Sequence, residues 1–322
     1  MNFLGIDIGG TKTAVCVGDE TGAIRASDRI PSTSGEHLEA YIDRLVALCG
    51  DMVRQSSLEM RAIDAVGVSA PGPLDVKRGV LIEPPNNVGW RDVPLGAILS
   101  ERLARPVSFN NDANACALAE LYFGQHGVKD LLYLTCSTGM GGGVIANGEL
   151  VQGITDTGGE VGHHVIDRDG PLCGCGMRGC WEAFVGGRRV AERVQEAIRA
   201  GGVRSRLTEM AGGRPEAITF KLIAQAARQG DAYAVGVWDE FVERMAQGIG
   251  NLIMILNPQV VVLGTVAIHE GDFLMVPLRE KLVKYTWKWP REACRIVPSP
   301  LGGRIGDLAA LAVAVGAVRA KP

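Results

Sequence analysis

Residues 3–18 read Phe3-Leu4-Gly5-Ile6-Asp7-Ile8-Gly9-Gly10-Thr11-Lys12-Thr13-Ala14-Val15-Cys16-Val17-Gly18. Two short apolar runs flank a Gly-rich turn, which is the pattern of a β-hairpin. Asp7 places a carboxylate at the end of the first run. Gly9 and Gly10 let backbone N–H groups close on phosphate oxygens, and Thr11 and Lys12 add side-chain donors. Asp7 suits Mg²⁺ held through water, because that ion keeps much of its hydration shell. Taken alone, the stretch is equally compatible with an ordinary exposed hairpin turn, since Gly-rich turns occur in many folds.

The same pattern restarts further along. Leu131–Thr135 is a strand, Ser137–Gly143 a Gly-rich turn, and Val144–Asn147 another strand. In that second turn Thr138, Gly139 and Gly141 are the candidate phosphate contacts, although no Gly-Lys-Ser/Thr closes a Walker A loop. The echo is a weak one and suggests two structurally similar halves.

Between and beyond these hairpins, apolar spacing marks further elements. Leu38, Tyr41, Ile42, Leu45, Cys49 and Met52 repeat at helical period within 36–56. Ala62–Ser69 reads as a buried strand stopped by Ala70-Pro71-Gly72-Pro73. Helices are expected at 188–200 and 231–256, a core strand at Val260–Leu263 ending in Gly264, and a buried helix at 305–320. Residues 201–215 resemble a flexible connector. Alternating strands and helices with Gly-rich turns specify an α/β fold. A cleft between its two halves is the natural place for a ligand.

The bulk properties remove several function classes. The chain has 322 residues, 47% hydrophobic and 21% charged, with a formal net charge of −3. No basic run offers a footprint for nucleic acid. The longest apolar stretches, 252–263 and 308–318, are too short for a bilayer. MNFLGIDIGG carries neither a basic n-region nor a cleavage site, so a cytoplasmic protein is expected. A reducing cytosol favours thiols. Cys16, Cys49, Cys116, Cys136 and Cys294 then read as small buried hydrophobes.

Phe109-Asn110-Asn111-Asp112-Ala113-Asn114-Ala115 places polar residues between a strand-like Val107 and a helix-like 113–123. Asn and Asp are favoured helix caps, which is the structural reading. The functional one makes a carboxylate accept the proton of an acceptor hydroxyl as its oxygen attacks phosphorus, a contribution of roughly 10²–10⁴-fold.

The sharpest signal is Gly159-Glu160-Val161-Gly162-His163 followed by Cys173-Gly174-Cys175-Gly176-Met177-Arg178-Gly179-Cys180-Trp181-Glu182. One imidazole and three thiolates suit tetrahedral Zn²⁺ in a closed structural site. The bland alternative is a redox pair or three buried thiols. His163 and His164 are adjacent, and neighbours on an extended segment point to opposite sides; spacing leaves the choice between them open. A metal that fixes this loop also fixes Glu160 and Glu182, whose carboxylates can accept hydrogen bonds from sugar hydroxyls.

These residues resemble the ROK family (repressors, open reading frames and kinases), within the actin-like ATPase and sugar kinase superfamily. The match extends from Gly5-Ile6-Asp7-Ile8-Gly9-Gly10-Thr11-Lys12 to Asn257-Pro258 and the apolar C-terminal helix. The resemblance implies that His163 is the zinc ligand with Cys173, Cys175 and Cys180, that Asp112 is the catalytic base, and that Asn111, Glu160, Glu182 and His163 bind sugar. Asn87 resembles a further sugar-side position. It implies ATP and Mg²⁺, a structural zinc, and a homodimer. It also implies two actin-like, ribonuclease H-like α/β lobes around a cleft, residues 1–115 with the helix 305–322 packed back on them, and 116–304 carrying the zinc loop and nucleotide site.

One departure stands out. Where the family commonly carries a Gly run to receive adenosine, this chain keeps Gly264 and continues with Thr265 and Val266. Glucose is the first-choice acceptor, with N-acetylmannosamine, N-acetylglucosamine, mannose or fructose as alternatives. A DNA-binding repressor would need a segment ahead of Phe3, for which the sequence leaves no room. A catalytically silent sugar sensor is the other non-enzyme reading.

Overall fold

Asn2–Ile8 (β1) and Lys12–Asp19 (β2) form the expected antiparallel hairpin, with Asn2 opposite Asp19 and Ile8 opposite Thr13. In this computed structural model residues 1–32, 37–83 and 90–320 are described; Asn87 lies outside them. The strands Ile24–Pro31 (β3), Ala65–Ala70 (β4) and Val107–Asn111 (β7) complete a mixed sheet of order β3-β2-β1-β4-β7. Leu74–Asp75 (β5) and Val80–Leu81 (β6) make a small separate pair. β4 is buried along its whole length, as befits a strand with parallel neighbours on both sides.

A second five-stranded sheet is built from Leu131–Cys136 (β8), Met140–Ala146 (β9), Glu149–Leu150 (β10), Val260–Leu263 (β11) and Arg295–Pro298 (β12). Its order, β10-β9-β8-β11-β12, repeats the layout of the first sheet strand for strand. The faint sequence echo between the two hairpins therefore corresponds to a duplicated topology. The chain forms two compact units, one of residues 1–129, 143–159 and 300–322, the other of 130–142 and 160–299.

Helices α1 (Leu38–Gln55), α2 (Leu95–Leu103) and α3 (Asp112–Phe123) belong to the first unit. The second holds α4 (Trp181–Val185), α5 (Gly187–Arg199), α6 (Leu207–Met210), α7 (Phe220–Arg228), α8 (Ala232–Leu256), α9 (Val266–Glu270), α10 (Asp272–Leu282) and α11 (Lys288–Ala293). Helix α1 buries Tyr41, Ile42, Leu45, Cys49 and Met52, the face its periodicity marks. The scattered thiols behave as small core residues: Cys16, Cys49, Cys136 and Cys294 are buried and Cys116 is half-buried. Among the described residues no helix is long and apolar enough to cross a membrane.

The connector reading of 201–215 needs correction. It contains α6, whose Leu207 is buried, and it is tied to the next helix. The Asp231 carboxylate accepts from Ser205 Oγ (3.0 Å), the Arg206 amide (2.8 Å) and, as the N-cap of α8, the Ala234 amide (2.9 Å). A cap shared with the preceding loop is invisible to local composition.

The C-terminal helix α12 (Ile305–Arg319) is buried without interruption from Leu308 to Val315 and packs on β1, β4 and α3. Glycines in the strands beneath make that approach possible. A Cβ on Gly67 would lie 2.1 Å from the Ala310 carbonyl oxygen and 2.5 Å from the Ala314 amide nitrogen. Both are backbone atoms, which no rotamer change can move. Gly67→Ala is therefore expected to destabilise the protein by about 3 kcal/mol or more, at the upper end of overpacking. Chemical denaturation of the variant checks this; a loss below 1 kcal/mol would contradict such close packing.

Candidate active site and metal centre

The first unit gathers polar groups at the carboxyl ends of its parallel strands. Register pairs Asp7 of β1 with Ser69 of β4, and Ser69 and Ala70 with Asn110 and Asn111 of β7. Ligands bind at this edge in open α/β sheets. Ser69 Oγ donates to Asp7 Oδ1 at 2.9 Å. Burial raises the Asp7 pKa and the Asp307 carboxylate adds to this, while the Ser69 hydrogen bond and Lys12 oppose it. Gly306 approaches so closely that a Cβ there would stand 2.7 Å from Asp7 Oδ2. Ser69, Gly306 and Asp307 were not singled out from sequence, because only strand pairing and the docking of α12 bring them to Asp7.

The turn after Asp7 is held from behind. Gly9 N–H donates to the Lys12 carbonyl at 3.0 Å, and Ser32 Oγ donates to the Gly9 carbonyl. Gly10, Thr11 and Lys12 are exposed, so their donors face outward. At the end of β7 the two adjacent polar residues divide their tasks. Asn111 is the N-cap of α3, its Oδ1 accepting from the Ala113 amide at 3.0 Å. Asp112 opens the helix, is exposed, and its Oδ1 also meets that amide at 2.7 Å. The capping reading of this segment thus belongs chiefly to Asn111.

In the second unit His163, Cys173, Cys175 and Cys180 converge, with their ligand atoms all within 4.8 Å of one another. Cys175 Sγ and Cys180 Sγ are 3.6 Å apart, far beyond a disulfide bond. Cys173 Sγ and His163 Nδ1 are 3.7 Å apart. A tetrahedron with Zn–S of about 2.3 Å has S···S edges of about 3.8 Å, so these separations fit a four-coordinate zinc. The structure also separates the two histidines. His164 Nδ1 contacts the Val161 carbonyl oxygen and its ring lies 5.4 Å from that of Trp181, whereas His163 Nδ1 faces the thiols.

Sharp turns deliver the ligands. Gly179 has φ +73°, and a Cβ there would fall 1.6 Å from the Asp167 carbonyl oxygen. Burial, with the neighbouring Cys175 and Cys173 thiols, pushes the Cys180 thiol up; a coordinated metal would take it as thiolate.

Glu182, in α4, links this centre to the second Gly-rich turn. Its Oε1 is 3.8 Å from Cys173 Sγ and its Oε2 accepts from the Met140 amide at 2.9 Å. A Cβ on Gly139 would collide with that carboxylate at 2.4 Å. Gly139 is thus required by a carboxylate neighbour as well as by any phosphate. Glu160 is exposed and precedes the short 3₁₀ turn Val161–His163. Thr138 is exposed and Gly141 half-buried in the turn itself.

Beside this turn lies a pocket of about 760 Å³ whose lining includes Thr138, Ala191, Ile218, Phe220, Thr265 and Val266. Gly264 is buried, and a Cβ there would meet the Tyr133 hydroxyl at 2.3 Å. No sequence pattern marked Ile218 or Phe220. They reach the pocket from the short segment before α7 and from the first residue of that helix.

Residues 3–316 match the ROK family. A glucokinase of Thermotoga maritima is 33% identical over 317 residues, covering 97% of both chains. A xylose repressor of Caldicellulosiruptor bescii is 31% identical, over 87% of this chain and 69% of its own length. Among solved structures, a ROK hexokinase from Thermus thermophilus superimposes with a TM-score of 0.86 at 32% identity, covering all of both chains. A ROK family glucokinase from Streptomyces griseus, solved with glucose and AMPPNP, gives 0.76 at 31% identity over 98% of this chain and 99% of that one. With the family pattern matched almost end to end and the fold shared, this chain belongs to the ROK family.

Proposed function

We propose that this protein transfers the γ-phosphoryl group of ATP to a hydroxyl of a hexose, with glucose the first acceptor and Asp112 the general base. The observation that carries the reading is the exposed carboxylate of Asp112, standing beside Asn111 at the same strand edge as Asp7. Likeness to a glucokinase that binds glucose and AMPPNP supports it.

In this reading Asn111, Glu160, Glu182 and His163 hold the sugar, and Asp112 receives the proton of the attacking hydroxyl. The new bond joins that oxygen to the γ-phosphorus, and the bond to the bridging oxygen of ADP breaks. Backbone amides of the two Gly-rich turns, other than those of Gly9 and Met140, which bond the Lys12 carbonyl and Glu182, hold phosphate oxygens, and Thr11 and Lys12 add donors. Asp7 would hold Mg²⁺, which when bound neutralises charge developing on the transferring group. The Cys₃His centre would hold a structural zinc, which supplies no step and fixes the loop that carries His163 and Glu182.

The test is ADP release by the purified protein with a panel of hexoses and N-acetylhexosamines. Glucose is expected to give the highest kcat/KM. Tight sugar binding without sugar-dependent ADP release would sink the enzyme reading in favour of a sensor, a role that the likeness to a repressor keeps in view. Preference for another sugar would move only the acceptor.

A further inference from the structure

Thr265 joins β11 to α9 with φ +37° and ψ −86°. Of the non-glycine residues with positive φ among the described residues, it is the one that is β-branched. Such a backbone is accessible to glycine and disfavoured for threonine. It persists here because its surroundings fix it on every side. The Gly264 amide donates to the Leu134 carbonyl at 2.7 Å, and the Ala267 and His269 amides donate to the carbonyls of Gly264 and Thr265, both at 3.1 Å. Backbone strain of this kind concentrates at ligand-binding positions, and Thr265 lines the pocket beside the second Gly-rich turn.

The side chain has a specific neighbour. Thr265 Oγ1 and Thr135 Oγ1 are 3.0 Å apart, joining the ends of β11 and β8. One hydroxyl donates to the other, and the second keeps its own hydrogen for another acceptor. Thr135 precedes the turn beginning at Ser137, and both threonines are half-buried. Glycine, lacking a Cβ, would take this backbone at lower cost than threonine, so threonine at 265 adds a side chain, and with it a hydroxyl, at a position that disfavours one.

We propose that the Thr135–Thr265 hydroxyl pair binds a phosphate oxygen of the nucleotide, making Thr265 a binding residue of the donor site. This rests on the reading of the pocket as the nucleotide site. The pair presents a neutral donor held at fixed position by two strand ends, while Phe220, Ile218 and Val266 offer apolar surface suited to a purine ring.

The experiment is calorimetric titration of the zinc-loaded protein with ADP and, separately, with adenosine. Thr265→Ala and Thr135→Val are each expected to weaken ADP binding roughly tenfold to a hundredfold, the effect of losing a hydrogen bond to a charged group. The double variant should be no weaker than either single one, since the pair acts as a unit. Thr265→Ser should recover ADP binding to within about threefold, while Thr265→Gly, with less backbone strain but no hydroxyl, should bind as poorly as Thr265→Ala. Adenosine should bind all variants alike. ADP binding by Thr265→Ala within twofold of the parent overturns the proposal, as does full binding by Thr265→Gly, which would show that backbone shape alone matters. An equal penalty for adenosine overturns the phosphate assignment. Failure of the parent protein to bind ADP removes the nucleotide-site reading and the proposal together, and is distinguished from the other outcomes by the parent titration. Thermal midpoints within a few degrees of the parent establish that the variants are folded, and Thr135→Val, in a regular strand, provides the independent arm.

Discussion

Asp112→Asn is expected to bind glucose within about twofold of the parent and to lose roughly 10²–10⁴-fold in kcat. The substitution keeps the shape and the acceptor oxygen that meets the Ala113 amide, now held at 2.7 Å. It leaves the N-cap of α3 in place, because Asn111 provides it. A loss of turnover therefore reports the missing basic oxygen rather than a frayed helix. The start of α3 also favours negative charge, since the positive end of the helix dipole lies there. Asn111→Ala is the informative contrast. It removes a cap worth about 1 kcal/mol, and its damage should appear in stability and sugar affinity together. Steady-state kinetics with glucose, and sugar titration in the absence of nucleotide, separate the two. Near-parental turnover by Asp112→Asn would remove Asp112 from the base role.

Much of this arrangement is legible in the sequence alone, and the limits have physical causes. β1 and β2 are readable as short apolar runs, nearly continuously buried, on either side of a Gly-rich turn, and α1 is readable because its apolar residues recur at the 3.6-residue period that its buried face imposes. The buried C-terminal helix was equally plain, being apolar on all sides. By contrast β3 has five of its eight residues exposed and none fully buried, and offers no apolar run to detect. Asp7 was visible through its glycines, whereas Ser69 and Gly306 reach it only through strand register and helix docking. Two adjacent histidines could not be told apart by spacing, because the answer depends on the 3₁₀ turn at Val161–His163 and on Trp181. Thr265 was noticeable as bulk after Gly264. Its positive φ and its bond to Thr135, 130 residues away, could not be read from the chain.

Removing the proposed zinc tests the ligand cluster of the second unit. Cys175→Ser is expected to abolish stoichiometric zinc, and with it to weaken sugar binding by tenfold or more, the scale seen when groups that orient a site are released. Structural zinc in comparable small loops contributes roughly 10–16 kcal/mol at neutral pH, far more than the few contacts of a Gly-rich segment can replace. The consequence is directional because of Glu182. Its one oxygen lies 3.8 Å from Cys173 Sγ, and the other accepts from the Met140 amide. In the proposed reading, a loop released from metal frees that carboxylate from both the sugar and the glycine turn, so kcat should fall along with affinity. Cys49→Ala, in the core of the first unit, is the control: it removes a buried thiol without touching the cluster, so zinc content should stay unchanged while stability drops. Elemental analysis, a glucose titration and a thermal melt on each variant decide the matter. A Cys175→Ser protein that carries no zinc yet binds and turns over glucose like the parent would show that the four converging ligands do not scaffold the site.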